Sequence, residues 1–134
     1  MTAIQALLAF TGWTLALVMG IFLYRGLRIL QGMPITHWPR GAMPDDDIAL
    51  ARRIADAHAN CLENLPVFAV LVLVAATQGK LASIDVLAAC VFYCRVAQSL
   101  VPLWGTGTLQ VLARATFWAG QLVLFVMMFV RLLA

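Results

Sequence analysis

Four long apolar stretches, separated by short polar or proline-bearing breaks, make up most of the chain. The first runs from about Ile4 to Leu30 and carries no charge before Arg25. The second, from about Asp47 to Thr77, opens with charged residues and becomes continuously apolar from Val67 to Ala76. Gln78-Gly79-Lys80 is long enough only for a reversal, so the third stretch, from about Leu81 to Leu103, returns antiparallel. Pro102, Gly105 and Gly107 mark the next break, and the fourth stretch runs from about Thr108 to Leu133. Each stretch reaches the roughly 20 residues that a helix rising ~1.5 Å per residue needs to cross ~30 Å of hydrocarbon. The pattern predicts an all-α integral membrane protein: one four-helix transmembrane bundle of up-down topology over 1–134, with helices at about 4–30, 47–77, 81–103 and 108–133.

Composition agrees with this reading. The chain is 63% hydrophobic and 11% charged, with a mean hydropathy of +0.94, far from the balance of soluble domains. A net charge of +3 is too small and too dispersed to suggest nucleic acid as a partner. Cys61, Cys90 and Cys94 are odd in number and all fall within predicted helices, so no disulfide framework is expected. Cys90 and Cys94, one turn apart with no second pair, read as small buried thiols, and no metal site is expected. The uncharged N-terminal stretch lacks a basic leader and reads as a retained span. Arg25, Arg28, Arg40, Arg52, Arg53 and Arg114 flank the first and third connections, against Lys80 and Arg131 on the opposite side. This bias predicts that both termini face outward and the long first connection is cytoplasmic, as in a bacterial inner membrane. That connection, Gly32 to Asp47, carries three prolines around Trp38 and reads as an ordered interfacial loop. Of Asp45, Asp46 and Asp47 at its end, one is expected to cap the second helix.

The candidate chemistry lies on the second helix. Counting back ~20 residues from Gln78 starts the span near Ala59, so Asn60, Glu63 and Asn64 sit at or inside the membrane boundary. At 100° per residue, Arg53, Asp56, Asn60, Glu63 and Asn64 share about a third of the helix surface. Such a stripe costs roughly 2.5 kcal/mol or more per ionised group if it faces lipid, so it should face protein or a wet cavity. Pro66 removes the amide that would bond to Leu62 and is expected to bend the helix just beyond the stripe. Counting residues from the opposite ends places Glu63, Arg95 and Arg114 at a common depth, roughly 20 to 25 Å in at ~1.5 Å per residue, with Arg25 and Arg28 near that level. Matching burial of a carboxylate and arginines is what an anionic ligand, or an internal ion pair, requires. In the second case Arg53 would pair with Asp56, and Glu63 with Arg95 or Arg114.

The run AHANCLENLPVF, Ala57 to Phe68, with its H-x-N-x-x-E-N pattern, resembles the MAPEG family, the membrane-associated proteins of eicosanoid and glutathione metabolism. CRVAQ, Cys94 to Gln98, and Arg114 at the start of the fourth helix carry the resemblance further, and it extends over nearly the whole chain. It implies a homotrimer holding glutathione between neighbouring protomers, open toward the cytoplasm. Carried over by position, Asn60 and Glu63 would hold the peptide and its amino end, with Arg53 and Arg95 as further basic contacts. Arg25 or Arg28 would be the basic end of the first helix, and Arg114 the arginine that stabilises the thiolate. The sequence departs from the family pattern at Asp56, where catalytic members usually have arginine, at Gln98, where several have histidine, and at Pro102, where a tyrosine is expected. The resemblance implies glutathione transfer or peroxide reduction on small lipophilic substrates drawn from the lipid bilayer. The alternative is a non-catalytic subunit whose polar seam serves assembly with another membrane protein.

Overall fold

The computed structural model describes residues 1–39, 44, 46–104 and 107–134, with the side chains of 102–104 outside the description. Arg40, Asp45, Gly105 and the side chain of Pro102, which entered the sequence reading, therefore lie outside it. Four helices carry the chain: α1 (Ala3–Leu30), α2 (Ala49–Thr77), α3 (Leu81–Trp104) and α4 (Thr108–Leu133), with a 3-10 turn at Ile35–His37. Each is long and apolar enough to cross a membrane.

Hydrogen bonds at the helix ends establish the up-down order. The Ala3 N–H at the start of α1 donates to Asp85 Oδ1 near the start of α3 at 2.7 Å, so these two helices run parallel. Arg131 at the end of α4 donates to the Ser83 carbonyl at 2.6 Å, so α4 runs antiparallel to α3. Gly79, at φ 67, makes the reversal between α2 and α3, a left-handed conformation that glycine adopts without steric cost. The start of α1 is held by a capping box in which Thr2 and Gln5 exchange hydrogen bonds.

Where α1 meets α2, neither Asp46 nor Asp47, the described members of the acidic run, occupies the N-cap of the helix; Asp45 lies outside the described residues. Ile48 occupies the N-cap of α2 and makes no side-chain cap bond. Buried Asp47 instead accepts from the Tyr24 hydroxyl at 2.9 Å and from Trp38 Nε1–H at 2.7 Å. The Tyr24 oxygen accepts in turn from the Ile48 N–H at 3.3 Å. Arg25 lies over the Trp38 ring at 5.6 Å, and His37 Nε2 is 3.2 Å from Asp46 Oδ1. A carboxylate already bonded to two side chains from α1 and the loop ties the connection down, and the tyrosine takes over the capping of α2.

The core is a column of small and aromatic side chains. Phe68 of α2 is fully buried between Phe10 of α1 and Phe125 of α4, at centroid distances of 5.7 and 6.2 Å. Ala3, Ala6, Ala75 and Ala88 let the backbones approach closely, as helix packing in lipid requires. Pro66 lies within an unbroken α2. The thiols divide differently from the expectation of uniform burial: Cys61 is fully buried, Cys94 half-buried and Cys90 exposed on the outer face of α3. Cys90 points away from the packed face of its helix, where a thiol is tolerated as a small apolar group.

Candidate functional site

The polar stripe of α2 faces α3 and α4, and two adjoining cavities open along it. The inner one, of about 80 Å³, is lined by Arg53, Asp56, Ala57 and Asn60 of α2, Arg95, Gln98 and Ser99 of α3, and Arg114 of α4. The outer one, of about 430 Å³, is lined by Asn60 and Glu63 of α2, Gln98 of α3, and Val111, Arg114, Ala115 and Trp118 of α4. Asn60, Gln98 and Arg114 form the wall between them. Helical spacing accounts for the arrangement: Arg53, Asp56/Ala57 and Asn60 recur every three or four residues, as do Arg95 and Gln98/Ser99 on α3 and Arg114 and Trp118 on α4.

Burial varies widely among the residues that line the inner cavity. Arg95 is fully buried, Gln98 and Ser99 are each 6% exposed, Arg53, Asn60 and Arg114 are half-buried, and Asp56 is exposed. Arg95 donates from Nη2 to Gln121 Oε1 of α4 at 2.6 Å and lies over the Phe10 ring at 5.7 Å. Ser99 donates to the Arg95 carbonyl, and Asn64 Nδ2 to the Asn60 carbonyl, each at 2.9 Å. The Asn64 bond bends its side chain back onto the α2 backbone, so Asn64 belongs to the stripe by sequence but lines neither cavity.

Among the described residues, neither Arg53 with Asp56 nor Glu63 with Arg95 or Arg114 forms an ion pair. The internal pairing scheme is therefore replaced by a neutral partner, Gln121, for the fully buried Arg95. Glu63 is exposed on the single chain and lines the wider cavity across from Arg114. Of the residues singled out from the sequence, Arg53, Asn60, Arg95 and Arg114 come together around one cavity, and Glu63 joins Asn60 and Arg114 around the next. Arg28 does not join them. It is half-buried near the end of α1 and lines neither cavity. His58 is half-buried on α2 and also lines neither.

Ser99 and Trp118, which line the cavities, and Gln121, which lines neither but holds Arg95, are the residues that sequence reasoning did not assign to the site. Gln121 was detectable as an isolated amide within the apolar run Ala119 to Val130, since an unpaired polar group is costly in hydrocarbon. Trp118 carried no such mark, because aromatic residues are common throughout the chain's apolar stretches.

A model of the MAPEG family matches residues 3–134, essentially the whole chain. The chain belongs to the MAPEG family. No curated protein and no solved structure matched it. MAPEG membership, with four helices able to span a membrane, makes this an integral membrane protein of a family associated with glutathione and eicosanoid metabolism.

Proposed function

We propose that the two cavities form the binding site of glutathione or a similar small anionic thiol, which the protein conjugates to lipophilic electrophiles arriving from the bilayer. The observation that carries this reading is the convergence of Arg53, Asn60, Arg95 and Arg114 from three helices on one cavity, with Glu63 beside Arg114 in the next. Glutathione has two carboxylates suited to arginines and one ammonium suited to a carboxylate. The outer cavity is of ligand size, and Trp118, Val111 and Ala115 give it an apolar wall for an electrophile. Arg114, shared by both cavities, is the fixed cation beside which a thiol loses its proton more readily. The thiolate sulfur then forms a bond to the electrophilic carbon as the leaving group departs with its electron pair. Reduction of a lipid hydroperoxide at the same site would consume two thiols and release a disulfide, an alcohol and water.

In this reading the protein is a homotrimer in the bacterial inner membrane, with both termini outward and the cavities toward the cytoplasm. Exposure of Glu63 on the single chain, at a depth where a lipid-facing carboxylate is costly, supports a neighbouring protomer as its cover. A conjugation assay with a generic electrophile and glutathione tests the reading. Arg114→Ala should lower kcat by about 100-fold, the scale of losing one charge-stabilising group. Equal, background-level rates in the parent and the variant would overturn it.

One observation favours a second reading. Asp56 places a carboxylate on the inner cavity wall, where it would repel a ligand carboxylate. A non-catalytic subunit that uses the seam for assembly would co-purify stoichiometrically with another membrane protein in mild detergent and retain no thiol.

A further inference from the structure

Away from the two cavities, the seam between α1 and α2 is open to the outside. Ala51, on the α2 side of this seam, lies about 180° around the helix from Asn60. A groove of about 280 Å³ runs along the seam, between Gly20, Ile21 and Leu27 of α1 and Ile48, Ala51 and Ile54 of α2. Gly20 and Ala51 keep it open, since neither carries more than a methyl group. Its rim is apolar and uncovered: Leu27 is 60% exposed and Ile48 54%. Tyr24, which also lines the groove, leads into a narrow recess shared with Arg25, Asp47 and Arg52.

Helix length sets the depth of this groove. At ~1.5 Å per residue the 28 residues of α1 and the 29 of α2 each extend about 42 Å, the thickness of a bilayer with its headgroups. The end of α1 and the start of α2 therefore reach the headgroup level, where Tyr24 and Trp38 are also at home. Arg28 follows Tyr24 by one turn and so stands above the groove on the same face of α1. Neither Arg25, stacked on the Trp38 ring, nor Arg28 forms an ion pair with a described residue, and Arg28 Nε has no hydrogen-bond partner among them. Asp47 in the recess is already engaged by Tyr24 and Trp38. An apolar slot with cations directly above it, at the membrane surface, is complementary to an amphiphile that carries an anion directly above an acyl chain. A soluble anion would leave the slot empty, and a neutral lipid would leave the arginines unanswered.

We propose that this groove binds an anionic phospholipid, with the upper part of one acyl chain between α1 and α2 and the headgroup phosphate at Arg25 and Arg28. The site uses no residue of the two cavities and stands apart from the thiol reading. The bound lipid ties the end of α1 to the start of α2, so the stability of the bundle depends on lipid composition.

Thermal unfolding of the full chain in mild detergent, followed by tryptophan fluorescence, tests this in mixed micelles holding increasing fractions of phosphatidylglycerol or of phosphatidylcholine with the same acyl chains. Phosphatidylglycerol should raise the midpoint saturably by a few degrees at ~10-fold above half-saturation, and phosphatidylcholine should do so only at a several-fold higher fraction. Glycerol 3-phosphate, which has the headgroup anion without the chain, should give no shift. Half-saturation should weaken ~10-fold in the Arg25→Gln, Arg28→Gln double variant. It should weaken as much in Gly20→Leu, which leaves every charge in place; a Cβ at Gly20 meets Ile54 Cγ2 at 3.9 Å, an ordinary contact, so the added side chain fills the groove. Leu27→Ser, at an exposed position of the rim, takes its place should Gly20→Leu not fold. Lys80→Gln, at the opposite end of the bundle, should leave half-saturation unchanged. Equal responses to the two lipids, a shift reproduced by glycerol 3-phosphate, or unchanged half-saturation in the groove and arginine variants would each overturn the proposal. A midpoint that follows protein concentration and ignores lipid would assign the groove to a second copy of the chain, and would overturn it too.

Discussion

Tyr24 and Gln121 show how much of this bundle depends on single polar atoms. The Tyr24 hydroxyl both donates to Asp47 and accepts from the Ile48 amide, so its removal leaves a buried carboxylate and a helix-start amide short of a partner. Tyr24→Phe should destabilise the protein by about 1–3 kcal/mol, read as a lower unfolding midpoint in detergent. An unchanged midpoint would show that water replaces both bonds. Gln121 is the neutral partner of Arg95, and Gln121→Leu takes away its hydrogen bond to this fully buried cation. A loss of about 1–3 kcal/mol is expected in the same measurement. Neither partnership was legible in the sequence. Asp47 sits where acidic residues usually cap a helix, and only the return of α1 past the loop brings Tyr24 and Trp38 within reach of it.

At the scale of the helices, the chain was easier to read. Long apolar runs and their breaks place four spans because hydrocarbon demands continuous internal hydrogen bonding over ~20 residues, whatever the neighbours do. The polar stripe of α2 was visible for the same reason, since 100° spacing puts Arg53, Asp56 and Asn60 on one face. The exceptions lie where a side chain chooses between local and distant partners. Asn64 shares the stripe yet turns back to the Asn60 carbonyl, and Cys90 points outward although a cysteine in an apolar run suggests burial. The reversal at Gly79 carries its own prediction. Gly79→Ala forces a side chain into a left-handed conformation at φ 67 and should cost about 1 kcal/mol, although a Cβ there would meet open space. A midpoint equal to the parent's would show that the turn relaxes freely.

For the molecule as a whole, Phe68 is the residue on which three helices converge, packed between Phe10 and Phe125. Phe68→Ala should cost about 3–5 kcal/mol through the cavity it leaves, the largest loss among the core substitutions considered, measurable as reduced resistance to denaturing detergent. The sequence by itself determined four membrane-spanning helices, their alternating order, and a shared depth for charge on α2, α3 and α4, because length, turn spacing and the cost of burying ions in hydrocarbon act locally along the chain. Tertiary structure decided which charges meet. It separated Arg28 from the cavities, left Arg53, Arg95 and Arg114 without an ion-paired carboxylate among the described residues, gave Arg95 a glutamine from α4, and divided one polar seam into a small recess and a larger, more open one. Those outcomes depend on how far each helix is rotated and which neighbour it faces, and helix rotation is set by packing across the whole bundle.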